Sequence, residues 1–135
     1  MAALSGGVVT GPAPGLGMTT TDNQQPGARS FIALEVALAI IETLRSVVAG
    51  VRRHDVGVAQ QIVRSASSIA ANLAEGNGRE GKDRVRFFRI AAGSTEETRA
   101  HLRVALAWGW VRRTDVDKSL ELIDREVALL WRLTH

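Results

Sequence analysis

All three prolines fall at positions 12, 14 and 26, and residues 30–135 contain none. Inside a helix a proline removes a backbone donor and clashes with the preceding turn, so a stretch this long without one is free to be helical throughout. Apolar residues recur in it at helical rather than alternating spacing, interrupted near Asp55, at Gly76–Gly78 and at Gly109. The pattern predicts an all-α fold, an antiparallel up-down four-helix bundle over residues 30–135, because short connections make consecutive helices antiparallel neighbours. Residues 1–29 are rich in Gly, Pro, Thr and Gln, lack apolar periodicity and read as a disordered tail. Met18 is a second candidate start within that tail.

The first helix is predicted over about residues 30–49 and carries two neighbouring apolar stripes. Leu34, Leu38, Ile41, Leu44 and Val48 form one; Val36, Ile40, Val47 and Val51 form the other. Together they cover a wider arc than a helix packed on one side needs. Two readings of the second stripe stand: the helix lies deep in its own core, or these four residues meet another subunit. Asp55 is a good N-cap for the second helix, whose core face is Ala59, Ile62, Val63, Ala66, Ile69, Ala70 and Leu73. The third helix begins near Lys82, turns Phe88, Ala91, Thr95, Leu102 and Leu106 inward, and stops at Gly109 with Trp110 folding back on its last turn. Thr114 and Asp117 are placed to cap the fourth, whose seam is Val116, Leu120, Ile123, Val127 and Leu130.

A chain of 135 residues is the size of one domain, and its 45% apolar content suffices for one core. Cysteine is absent, which excludes disulfides, thiolate metal sites and a cysteine nucleophile, and fits a cytoplasmic protein. No uncharged apolar run approaches bilayer thickness, and the N-terminus lacks the charged region of a signal peptide, so no membrane partner is expected. The net charge of +3 is modest and unevenly spread. Residues 45–89 hold nine basic side chains against four acidic, whereas residues 114–135 hold three against five.

Residues 76–83 come within one residue of a phosphate-binding loop, but Asp83 replaces the hydroxyl that ligates magnesium, and the segment follows a helix instead of a strand. An interhelical turn is the better reading. Glu97 and His101 lie one helical turn apart, yet the paired Glu-x-x-His set of di-iron bundles is missing, so no metal and no cofactor is expected. No nucleophile elbow, Ser/His/Asp arrangement or carboxylate pair supports an enzyme. The densest charge is Arg79, Lys82, Arg84, Arg86 and Arg89; Lys82, Arg89 and Arg103 share one side of the third helix at heptad spacing, with Arg99 close by. Guanidinium forks suit phosphate oxygens, so these residues are candidates for nucleic-acid binding, with a solvated helix face as the plain alternative. No aromatic platform for stacked bases accompanies them in the sequence.

Residues 64–76, which run RSASSIAANLAEG, and residues 88–97, FRIAAGSTEE, resemble the bacterial four helix bundle protein family. That family includes proteins encoded in intervening sequences of large-subunit ribosomal RNA genes and is similar to the accessory variability proteins of diversity-generating retroelements. The resemblance covers about residues 31–133. It implies an antiparallel four-helix protomer assembling into a homopentamer and, in the retroelement branch, binding of RNA or DNA and of a reverse transcriptase. Arg64, Asn72, Glu75, Gly76, Gly93, Ser94 and Glu97 carry over as motif positions with packing and assembly roles. Thr95 and Thr98 stand where the family usually has apolar residues. The functional expectation is a non-enzymatic, oligomeric bundle that binds nucleic acid through its basic surface; the alternative is an interaction module that docks a protein through the acidic fourth helix.

Overall fold

The computed structural model describes residues 28–135, with side chains described from residue 32 onward. Four helices follow in order: α1 (Ala28–Arg52), α2 (Val56–Asn77), α3 (Gly81–Trp108) and α4 (Arg113–Thr134), with no strand among the described residues. The tail expected over residues 1–29 lies almost entirely outside them. Each helix packs on its neighbours in sequence, and α4 closes the ring against α1. The register is antiparallel throughout: Thr98 reaches Ser65 and Ser94 reaches Ser68 across α2 and α3, while Thr43 meets Ser119 across α1 and α4.

The helix ends follow from local chemistry. Asp55 caps α2 as expected, its Oδ1 accepting from the Val58 amide at 2.8 Å. At Gly109, with φ 77°, the chain takes the left-handed turn that ends α3. The amides of Gly109 and Trp110 then donate to the carbonyls of Leu106 and Ala105, both at 3.0 Å, closing the Schellman arrangement. The predicted cap of α4 is displaced. Trp110 and Val111 pack against the core and return the chain so quickly that α4 opens at Arg113, leaving Thr114 already inside the first turn. Asp115, rather than Asp117, bonds back to the Arg112 amide at 2.9 Å.

Two apolar clusters fill the interior. One, centred on Ile40, Leu44, Ile62, Leu102 and Ile123, lies toward the end holding the α1–α2 and α3–α4 connections. The other, around Ile69, Leu73, Phe88 and Leu130, lies toward the α2–α3 turn. Buried polar residues mark the boundary: Ser94, Thr95 and Thr98 fall between Ala91 and Leu102 on α3, and Glu126 falls between Ile123 and Leu130 on α4. The threonines are satisfied, Thr95 donating to the Ala91 carbonyl and Thr98 to Ser94 or Ser65, each at 2.8 Å. A hydroxyl therefore replaces an apolar group here without leaving an orphaned donor.

The two stripes of α1 exchange the roles considered for them. Val36, Ile40, Val47 and Val51 are 5%, 0%, 2% and 0% exposed and form part of the protomer's own core, so they are not available to a second subunit. Leu44 of the first stripe is also buried, but Leu34, Ile41 and Val48 are only half-buried and Leu38 is 42% exposed. The apolar arc is wide because α1 fills the core with one edge and shows the other to solvent. On α2, Val63 likewise turns outward beside that edge.

Candidate nucleic-acid interface

The α2–α3 turn gathers the basic run but engages much of it internally. Arg79 Nη2 meets Glu75 Oε2 at 2.7 Å and its Nη1 meets Asp83 Oδ2 at 2.8 Å. Hydrogen bonding from Arg79 lowers the Asp83 carboxyl below the usual carboxylate range, and Arg86 reaches the same carboxylate at 3.3 Å. Both guanidinium groups lie over the Phe87 ring, Arg86 at 4.4 Å and Arg79 at 5.1 Å. An aromatic ring does accompany the arginines, then, but they already cover it. Arg84 turns inward and donates to the carbonyls of Gly76 and Asn77, at 3.3 and 3.2 Å, adding to the backbone bond that the Gly76 carbonyl already accepts from the Arg79 amide.

Three of the six candidates keep their charge unpaired. Lys82, Arg89 and Arg103 are exposed, and no carboxylate lies within 4 Å of them among the described residues. Spaced by seven and fourteen residues on α3, they form one row about 31 Å long. Glu96 stands in the same row and pairs with Arg99, which also reaches Asp124 on α4 at 3.1 Å. Exposed pairs of this kind contribute about 0–1 kcal/mol, so Arg79 and Arg86 are held only loosely where they are.

The motif positions divide into those with a task in the protomer and those without. Ser94 bonds Ser68 at 2.8 Å and so joins α3 to α2. Asn72 acts one step removed: its Nδ2 donates to the Ser68 carbonyl at 2.9 Å and to the Ser68 hydroxyl at 3.0 Å, fixing the residue that makes the crossing. Gly76 allows the last turn of α2 to sit on Phe88, since a Cβ there would lie 2.7 Å from the ring. Glu75 holds Arg79, and Glu97 Oε2 lies 3.2 Å from His101 Nε2. Arg64 is exposed. Gly93 is exposed in the middle of α3, and a Cβ there would touch nothing within 4 Å.

Within residues 76–83 only residues 78–80 form the interhelical turn, and the Asp83 carboxylate, already in α3, is held by arginines where a phosphate loop needs a hydroxyl. Among the described residues no three His, Asp or Glu side chains converge as a metal site would require, and no helix is long and apolar enough to cross a membrane. Two features escaped the sequence reading. Glu126 is fully buried with neither carboxylate oxygen bonded, and burial pushes its pKa up to about 8. The apolar spacing of α4 pointed to Val127 and Leu120, which are half-buried, while Glu126 and Ser119 occupy the inward line. The other is a row of stacked rings formed by Trp108, Trp110 and His54, which come from two separate connections.

Fold and surface together define a small antiparallel helical bundle whose most distinctive exposed feature is a row of unpaired cations on one helix. The chain belongs to the 23S rRNA-intervening sequence protein family, whose model matches residues 32–132. Among solved structures it is similar to a Bacteroides thetaiotaomicron protein of unknown function from the S23 ribosomal protein family. The two are 20% identical, with a TM-score of 0.65 over 78% of this chain and 97% of that one, a likeness that shows the fold. No curated relative matches the chain.

Proposed function

We propose that this protein is a non-enzymatic, self-assembling cytoplasmic bundle that binds RNA or duplex DNA through backbone phosphates along α3. The observation that carries the reading is the unpaired row Lys82, Arg89 and Arg103, with Arg79 and Arg86 at its α2–α3 end held only by exposed pairs. The rival reading, protein docking by an acidic α4, has less support: Asp115, Glu121 and Asp124 each stand beside a cation, so that face alternates in sign, whereas Lys82, Arg89 and Arg103 have no acid within 4 Å among the described residues.

Assembly is supported by two separate apolar surfaces. One is the α1–α2 flank, where Leu38 and Val63 are exposed and Ile41, Val48 and Val63 line a groove of about 300 Å³. The other is the edge of α3 beside the cationic row, where Ile90 and Val104 are exposed. Two unlike patches on one protomer suit head-to-tail contact, which closes into a ring when the rotation permits. Five copies is the number implied by the family resemblance. A ring repeats the cationic row in every subunit, so weak phosphate contacts on one polymer combine through effective concentration. Fluorescence anisotropy with labelled duplex RNA and DNA at low salt tests the reading. Wild type should bind with little sequence preference, and affinity should fall with salt by about one unit of log–log slope per phosphate neutralised. K82S/R89S/R103S should lose both the affinity and the slope; a wild-type protein that leaves the duplexes unbound overturns the proposal.

A further inference from the structure

We propose that the bundle end formed by the α1–α2 and α3–α4 connections is a stacking site for the unpaired bases of single-stranded nucleic acid. In this site Trp108 offers a ring face, and Arg53 and Arg113, at the same end of the bundle, take the phosphates. Trp108 is 70% exposed, the most exposed large apolar side chain among the described residues. Its position is built rather than accidental. The left-handed turn at Gly109 folds the chain so that the rings of Trp108 and Trp110 lie 6.0 Å apart and within 12° of parallel. From the α1–α2 connection, His54 lies 6.1 Å from Trp110 with its ring within 7° of parallel. Trp110, half-buried against the core, anchors this row, while Trp108 and His54 are both exposed.

One unpaired cation lies beside the rings and another opens α4 at the same end of the bundle. Arg53 reaches back past Gly50, where a Cβ would lie 3.7 Å from its Nη2, and with Trp110 and Val111 it lines a pocket of about 160 Å³. Arg53 and Arg113 are exposed with no carboxylate within 4 Å among the described residues, whereas Arg112 is held by Asp115. Asp55, the acid nearest in sequence to Arg53, is engaged in capping α2. An open indole among unpaired guanidinium groups matches a ligand that presents flat π-faces and anions along one flexible chain, which is single-stranded nucleic acid. A duplex hides its base faces and would meet only the arginines. An apolar partner helix would cover the indole but leave the guanidinium groups desolvated without acceptors. The site lies at the opposite end of α3 from Lys82 and Arg89, while Arg103 of the phosphate row lines one pocket with Arg113, so variants at Trp108 and at Lys82 with Arg89 separate the two sites.

The test measures binding of a labelled oligouridylate of about twelve nucleotides and of an RNA duplex of similar length to the full chain. Trp108→Ala should weaken oligouridylate binding about tenfold, the scale of one lost base–aromatic stack, and leave duplex binding unchanged. Trp108→Phe should keep most of the affinity, whereas Trp108→Leu, apolar but without a ring, should behave like Ala. Lys82→Ser with Arg89→Ser should show the converse pattern, losing the duplex first. Wild-type tryptophan emission should quench with oligouridylate and recover in high salt. Equal oligouridylate affinity in wild type and Trp108→Ala overturns the stacking site, as does full retention by Trp108→Leu. It is overturned equally if Trp108→Ala alters only the sedimentation of the protein, since the indole would then be a subunit contact.

Discussion

Glu126 makes stability depend on pH in a direction opposite to that of most carboxylates. Its side chain is fully buried, neither oxygen has a hydrogen-bond partner, and desolvation lifts its pKa from 4.5 to about 8, opposed only by the neighbouring charge of Arg125. The register set by Thr43 and Ser119 brings Val36 to its level on α1, and the inward residues at its level on α3 are Thr95 and Thr98, none of them charged. Below the unfolded-state pKa both states are protonated. Between that value and the folded-state pKa the native protein holds a proton that the unfolded chain has released, so stability falls as pH rises, by about 1.4 kcal/mol per unit. The loss is complete near pH 8 and has a ceiling of about 5 kcal/mol, a large share of the stability of a small domain. Urea unfolding followed by circular dichroism at about pH 5 and about pH 8, at fixed protomer concentration, measures it. Comparison with Glu126→Gln isolates this group from every other titration. The wild type should lose several kcal/mol more than the variant across the interval, and the variant should be the more stable protein at the higher pH. Parallel pH dependence in the two proteins would refute burial of a neutral acid.

Gly76→Ala should destabilise by about 1–3 kcal/mol, because its methyl group would overlap the Phe88 ring; an unchanged melting temperature would mean that α2 and α3 separate freely there. Asn72→Leu should cost about 1–3 kcal/mol in a thermal or urea melt by removing the donor that holds Ser68, and an unchanged curve would show that bond to be dispensable. Gly93→Ala should stabilise the protein by about 1 kcal/mol in a thermal or urea melt, as nothing lies near the added methyl, and a loss of stability would mean that α3 is packed against at that point. Leu38→Glu with Val63→Glu should dissociate the assembly while preserving helix content by circular dichroism, whereas Val36→Glu should unfold the protomer.

The architecture was legible because its signals are local. Proline-free helical periodicity, Asp55 at an N-cap and Gly109 at a left-handed turn each act within a few residues of themselves. The inner faces of α2 and α3 were mostly legible for the same reason, although Val63 faces outward. What the sequence hid depends on the neighbours a helix acquires. On α1 both stripes are apolar, so only the positions of α2 and α4 decide that Val36 turns inward while Leu38 remains exposed. On α4 a rotation of part of a turn exchanges Val127 for Glu126 on the buried line. The basic run was visible, but its chemical availability was not: Arg84 closes a helix end and Arg79 bridges two acids, leaving Lys82, Arg89 and Arg103 unpaired. The Trp108–Trp110–His54 row joins two connections more than fifty residues apart in sequence and emerges only once the bundle is closed.

Light scattering of the purified protein with and without duplex RNA at low salt tests the central proposal most directly. The expected result is a homo-oligomer whose mass rises on adding the duplex, with the rise abolished by K82S/R89S/R103S and the oligomer itself retained. A monomer that leaves the duplex free in solution would contradict both self-assembly and phosphate binding.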